Sequence, residues 1–205
     1  MGGIGRIADM LMCLLWVMTY ALVLAATLKD KYPAISPITQ AIIAPFEFAV
    51  TASFLQDFSL HYVSAAYLCW SLLEIGTIAL FLQRRYIRPR LAGPYLAILF
   101  LLTCLMACVI RQPRGMIVFS YLNTILGTVF WYGHVRRRDY PVTVLHLCFF
   151  VTKYCADVLG VVTYFRRHGP FVSAMSVLLP FLDSFFILTW YARHQERQTD
   201  RSGRP

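Results

Sequence analysis

Residues 93–110 read GPYLAILFLLTCLMACVI, a run without one charged side chain. A helix of this length rises about 27 Å at ~1.5 Å per residue. That nearly matches the roughly 30 Å hydrocarbon layer of a bilayer. The run is followed at once by Arg111-Gln112-Pro113-Arg114, a basic turn of the kind that stops a span. Working outward, the same alternation of long apolar runs and short charged bursts recurs along the chain. Six further spans are predicted, at about 8–28, 36–55, 63–82, 115–133, 141–165 and 170–191. The first stops at Lys29-Asp30-Lys31 and the second near Asp57. The third is closed by Arg84, Arg85, Arg88 and Arg90, the fifth by Arg136-Arg137-Arg138, and the sixth by Arg166-Arg167.

Composition agrees with this reading. Of 205 residues 59% are hydrophobic and 14% charged, against about half and a quarter in soluble domains. Seven spans of roughly 20 residues leave room for short loops and two tails, so the predicted fold is an all-α bundle of seven transmembrane helices. Residues 1–192 form the membrane domain, and 193–205 form a disordered, basic, cytosolic tail. A secretory leader is not expected, because the apolar run after Ala8 is too long for an h-region.

The net charge of +9 does not signal nucleic acid, because the basic residues flank apolar spans instead of lining one face. With seven spans, one side holds Lys29, Lys31, Arg84, Arg85, Arg88, Arg90, Arg136, Arg137, Arg138, Arg193, Arg197, Arg201 and Arg204. The other holds Arg6, Arg111, Arg114, Arg166 and Arg167. The excess side is assigned to the cytosol, which puts the C-terminus inside and the N-terminus outside. All six cysteines (Cys13, Cys69, Cys104, Cys108, Cys148 and Cys155) fall within spans and fit no zinc or haem spacing. They are expected to be free, buried thiols.

Five ionisable residues lie well inside the spans: Glu47, Glu74, Lys153, Asp157 and Asp183. Each is expensive in hydrocarbon unless it meets a partner or a wet cavity, so each is a candidate for function. Counting along the helices places them in a layer about 10 Å thick, at mid-depth or slightly to its cytosolic side. Lys153 and Asp157 stand four apart, the spacing of a local ion pair. Glu47 and Asp183 have no same-helix partner, and a carboxyl isolated in low dielectric is driven to its protonated form. Aromatic residues accompany these groups. Trp16, Tyr20, Phe46, Trp70, Trp131, Tyr154 and Phe186 are candidates to offer ring faces to a cation, although most membrane aromatics simply face lipid. The chain lacks an aspartate-rich helix pattern for Mg²⁺, a P-loop, a nucleophile elbow and a glycine-rich dinucleotide turn. No metal or cofactor is predicted.

The string Trp16, Tyr20, Lys29–Tyr32, Pro37 and Phe46-Glu47-Phe48 resembles the membrane-integral terpene cyclases of meroterpenoid and indole-diterpene pathways. These are the paxilline and pyripyropene cyclases and the bacterial drimentine-type relatives. Their usual Trp-Glu is replaced here by Phe46-Glu47. Leu182-Asp183-Ser184-Phe185 resembles the family's last-span aspartate. The resemblance implies a metal-independent enzyme that cyclises the prenyl chain of a prenylated aromatic or indole, beginning with protonation of an alkene or epoxide. It implies that Glu47 and Asp183 are the essential acids, with Glu74, Lys153 and Asp157 in support. A prenyltransferase would supply the lipophilic substrate. The membrane would be the bacterial inner membrane or, in a fungus, the endoplasmic reticulum. Two other readings compete. A small proton-coupled transporter would use the same buried carboxyls, but it commonly shows an internal repeat and helices broken by Gly or Pro, and the spans here are expected to run uninterrupted. A retinal photoreceptor would need its lysine in the last span, whereas Lys153 is in the sixth.

Overall fold

The computed structural model describes residues 3–56, 62–110, 113–164 and 169–202. It contains α1 (Gly3–Lys29), α2 (Pro37–Gln56), α3 (Tyr62–Gln83), α4 (Pro89–Val109), α5 (Pro113–Val135), α6 (Val144–Tyr164) and α7 (Pro170–Ser202). All seven are long and apolar enough to cross a membrane, and no strand forms among the described residues. The expected turns at Asp57, at Arg111–Gln112 and at Arg166–Arg167, and the chain beyond Ser202, lie outside the described residues.

Local chemistry sets the helix ends. Pro37, Pro89, Pro113 and Pro170 each occupy a first helical position, where the missing N–H costs nothing. Ser36 caps α2 by accepting the Thr39 N–H at 3.0 Å. The Arg84 guanidinium donates to the Thr27 and Asp30 carbonyls, each at 2.8 Å, satisfying the end of α1. Arg193 does the same for α5 through the Val135 carbonyl at 2.8 Å. The basic residues between spans therefore work partly as caps.

Three boundaries differ from the sequence reading. α1 begins at Gly3, ahead of Ala8. α6 begins at Val144 and not at Pro141, because Tyr140 is tied to the Ala34 carbonyl and the Thr143 carbonyl accepts the Trp190 indole. α7 runs through Arg193 to Ser202, where a disordered tail was expected. Contacts one turn apart hold this extension: Trp190 stacks on His194, and Gln195 donates to the Tyr191 hydroxyl.

Helix packing defines a closed ring. α1 packs on α6, α6 on α7, α7 on α5, α5 on α2, α2 on α3, and α3 back on α1. α4 lies outside this ring against α2, and Leu99 is its one buried residue. The ring turns polar groups inward: Glu47, Glu74, Lys153, Asp157 and Asp183 are all buried. The outer faces are apolar, with Phe100, Leu101 and Val144 about two-thirds exposed (68, 65 and 68%). This inverted distribution suits a bilayer as surrounding solvent. It also corrects the reading of the cysteines. Cys13 is buried, but Cys69, Cys104, Cys108 and Cys148 are exposed on the outer surface, where a thiol meets apolar surroundings as readily as in a core.

Pro45 lies inside α2 and Pro180 inside α7, prolines that the sequence reading did not single out. Each helix continues through its proline, but each loses one backbone hydrogen bond there. Glu47 follows within the next turn of α2 and Asp183 within the next turn of α7.

Candidate active site

The six ring helices enclose a cavity of about 130 Å³. α1 contributes Met12, Trp16 and Tyr20; α2 contributes Ile43, Phe46 and Glu47; α3 contributes Tyr67 and Trp70. α5 lines it from Met116 to Trp131, α6 with Lys153, Asp157 and Gly160, and α7 with Leu179. α4 supplies nothing. Met116 sits near the start of α5 and Gly160 near the end of α6, so the cavity runs from mid-bundle toward the end where α5 and α7 begin.

Glu47 reaches the cavity from the middle of α2. Its Oε1 accepts the Tyr20 hydroxyl at 2.8 Å, while Oε2 has no donor among the described residues. Tyr20 was expected to present its ring face to a cation; its hydroxyl instead orients the acid. Behind Glu47, Glu74 approaches from α3 closely enough to interact with it, and Gln40 stands beside Glu74. Glu74 is 0% exposed, and neither of its oxygens has a hydrogen bond of good geometry among the described residues. Gln40 Nε2 is equally unpaired. Trp16, Tyr20, Tyr67 and Trp70 pack around this acid, with the Tyr67 and Trp70 rings 4.4 Å apart.

Across the cavity lies a second charged group. Lys153 Nζ donates to Asp157 Oδ2 at 2.9 Å and to Asp183 Oδ1 at 2.5 Å. The i,i+4 pair expected on α6 is present, but Asp183 is no isolated carboxyl. It belongs to the same ion cluster and, unlike Asp157 and Lys153, does not line the cavity. The ammonium also lies 5.3 Å from the Trp16 ring centroid, within cation–π range. Two carboxyls around one lysine leave Asp183 Oδ2 without a partner among the described residues.

The basic end of the bundle is plugged. The loop between α1 and α2 folds into it, leaving Ala34 and Ile35 0 and 1% exposed. Trp131 Nε1 and the Tyr140 hydroxyl both donate to the Ala34 carbonyl, at 2.9 and 2.8 Å. His134 Nε2 pairs with the Pro33 carbonyl at 2.9 Å. Burial lifts the Tyr140 phenol well above its ordinary pKa, so it stays a donor. Beneath this plug Trp131, Phe149, Phe150 and Phe186 pack into an aromatic septum, with centroid spacings of 5.5 Å for Trp131–Phe149 and 5.0 Å for Phe150–Phe186.

Of the predicted aromatics, Trp16, Tyr20, Phe46, Trp70 and Trp131 line the cavity. Phe186 sits in the septum instead, and Tyr154 is half-buried away from the lining. Apart from Trp131, the inward face of α5 was missed. Ser120, Asn123, Thr124 and Thr128 line the cavity, and Thr128 Oγ1 is buried without a partner among the described residues. Their spacing of three and four residues, in the least apolar of the seven spans, is the signal that finds them. Comparison with family models, with curated proteins and with solved structures found no match to this chain.

Proposed function

We propose that this chain is an integral membrane enzyme that protonates the terminal alkene or epoxide of a prenyl chain and cyclises it. The observation that carries the reading is Glu47. It is a buried carboxyl on the wall of an aromatic-lined cavity, with one oxygen held by the Tyr20 hydroxyl. Proton transfer from the Glu47 carboxyl to the terminal alkene carbon, or to an epoxide oxygen, leaves a tertiary cation on the substrate. The next π-bond attacks it, forming a ring and moving the charge along the chain. Loss of a proton from carbon ends the sequence, so the reaction is an isomerisation. Trp16, Tyr67 and Trp70 supply ring faces for the charge. The Asp157 carboxylate, on the far wall, is the base, and Asp183 positions Lys153 beside it. Excluding water prevents early capture of the cation.

An apolar cavity of about 150 Å³ holds a benzene-sized molecule, so the enclosed space takes the reacting end of the substrate. The remaining chain and any aromatic nucleus extend between the helices toward the open end. The protein sits in the membrane with the basic end and C-terminus cytosolic, by the Lys and Arg bias given above. A transporter would need access from both ends in turn. Three side-chain bonds and the aromatic septum closing one end favour an enzyme.

The test is conversion of a farnesylated indole by membranes containing the protein. The product expected has the substrate's mass and fewer double bonds. Glu47→Gln should lower the rate about 10²–10⁴-fold, the usual contribution of a general acid, with normal insertion. Wild-type-like turnover by both Glu47→Gln and Asp183→Asn would overturn the mechanism. Substrate flux across proteoliposomes without chemical change would support a transporter.

A further inference from the structure

The cavity has two unlike walls. α1, α2 and α3 present aromatic rings, whereas α5 presents Ser120, Asn123, Thr124 and Thr128. Most of these polar groups are already engaged. Asn123 Nδ2 donates to the Ile43 carbonyl at 3.3 Å, Thr124 Oγ1 donates to the Ser120 carbonyl at 2.8 Å, and Ser120 lies within reach of the Tyr67 hydroxyl. Thr128 differs. A buried threonine inside a helix can return its hydroxyl to the preceding turn, as Thr19, Thr77 and Thr103 also do at 2.8–3.0 Å. Thr128 lines the cavity and is 1% exposed, yet its Oγ1 has no partner among the described residues. Such a hydroxyl carries a desolvation penalty that a hydrogen bond from a ligand removes. α5 runs toward the sealed end, so Thr128 is the deepest of the four, about 12 Å beyond Ser120 at ~1.5 Å per residue. α5 meets α2 where Gly127 packs on Ile43. Thr128 on one helix and Glu47, one turn beyond Ile43, on the other therefore bracket the same part of the cavity.

We propose that Thr128 sets specificity: its hydroxyl recognises a neutral oxygen on the leading end of the prenyl chain, so that an oxygenated chain is preferred to a bare hydrocarbon. The inference rests on the reading of this cavity as the place of cyclisation and deepens it. The oxygen is neutral because Lys153, the cation of the cavity, is engaged by Asp157 and Asp183. A charged end would be buried there without a counter-ion. An alkene end leaves the Thr128 hydroxyl against hydrocarbon. An epoxide oxygen accepts its hydrogen bond while the flanking carbons rest on the aromatic wall. When Glu47 delivers its proton to that oxygen, an O–H bond forms and one C–O bond breaks, its electron pair remaining on oxygen. The new hydroxyl stays on the neighbouring carbon, and Thr128 holds it in place while the cation moves away along the chain.

Binding tests this without turnover. Three of the four tryptophans, Trp16, Trp70 and Trp131, line the cavity, so their fluorescence reports its occupancy. The probes are farnesylbenzene, which does not emit in the tryptophan range, and its terminal epoxide. Both are titrated by mole fraction in lipid vesicles into the Glu47→Gln protein, which leaves them unreacted. The epoxide is expected to bind about five- to tenfold more tightly, the net worth of one hydrogen bond. Thr128→Val keeps the shape without the hydroxyl and should abolish the preference, weakening the epoxide and tightening the alkene. Thr128→Ser should retain it. A preference that survives Thr128→Val overturns the proposal, since another donor, such as the unpaired Trp70 Nε1 on α3, would then read the oxygen. Equal binding of the two probes before any change at Thr128, or failure of both to bind, overturns it as well. Should Thr128→Val fail to fold, Thr128→Ala gives the same comparison. Preferred binding of the epoxide by a protein that cyclises nothing sinks the enzyme reading alone. Cyclisation of the farnesylated indole without any preference between the probes sinks the role of Thr128 alone.

Discussion

At the scale of single residues, the cavity is organised by charge placed where charge is costly. Lys153 is the clearest case, a buried ammonium between two carboxyls. Lys153→Met should destabilise the protein by about 3–5 kcal/mol, because Asp157 and Asp183 are left without their cation. Adding Asp183→Asn should recover part of that loss, as thermal unfolding in detergent would show; additive losses would mean that the two groups do not interact. The sequence made Glu47, Lys153 and Asp157 legible as members of one site, since ionisable groups in apolar runs demand partners. It did not show that Asp183 joins the lysine. That contact spans α6 and α7, and no spacing rule within one helix encodes it. Nor did it show the Tyr20 hydroxyl on Glu47, because an aromatic residue in a span reads equally well as a ring or as a donor.

At the scale of helices, close approach and polar plugs decide the geometry. Gly127 is where α5 meets α2: a Cβ there would come within 2.5 Å of Ile43 Cγ1. Gly127→Ala should cost about 1–3 kcal/mol through overpacking and narrow the cavity, which Ile43 lines. Ile43→Ala should relieve the clash in the double variant, and a coupling near zero would disprove the contact. The plug offers a second prediction. Trp131→Phe or Tyr140→Phe alone removes one of two donors to the Ala34 carbonyl and should cost about 1 kcal/mol in unfolding. Removing both should cost more than the sum, because the carbonyl is then buried unpaired. Helix number and helix cores were legible from hydropathy. The late start of α6 and the long α7 were not. Both depend on tertiary bonds made by Trp190, Tyr140 and their neighbours, which composition does not register.

At the scale of the whole molecule, six helices build a chamber and α4 rides outside it. Apolar exchanges on the outer face of α4, such as Phe100→Leu, should therefore change stability by less than about 0.5 kcal/mol. They should also leave turnover intact, a contrast with any lining position. That the fourth span contributes nothing to the cavity lining follows only from the order in which the helices pack. The sealed basic end carries a kinetic implication for the proposed enzyme. Starting material and cyclised compound must share a single doorway, so each molecule made has to dissolve back into the lipid before the next arrives. As the more compact compound builds up in the surrounding leaflet, it competes for that doorway, and throughput falls according to its partition between lipid and protein.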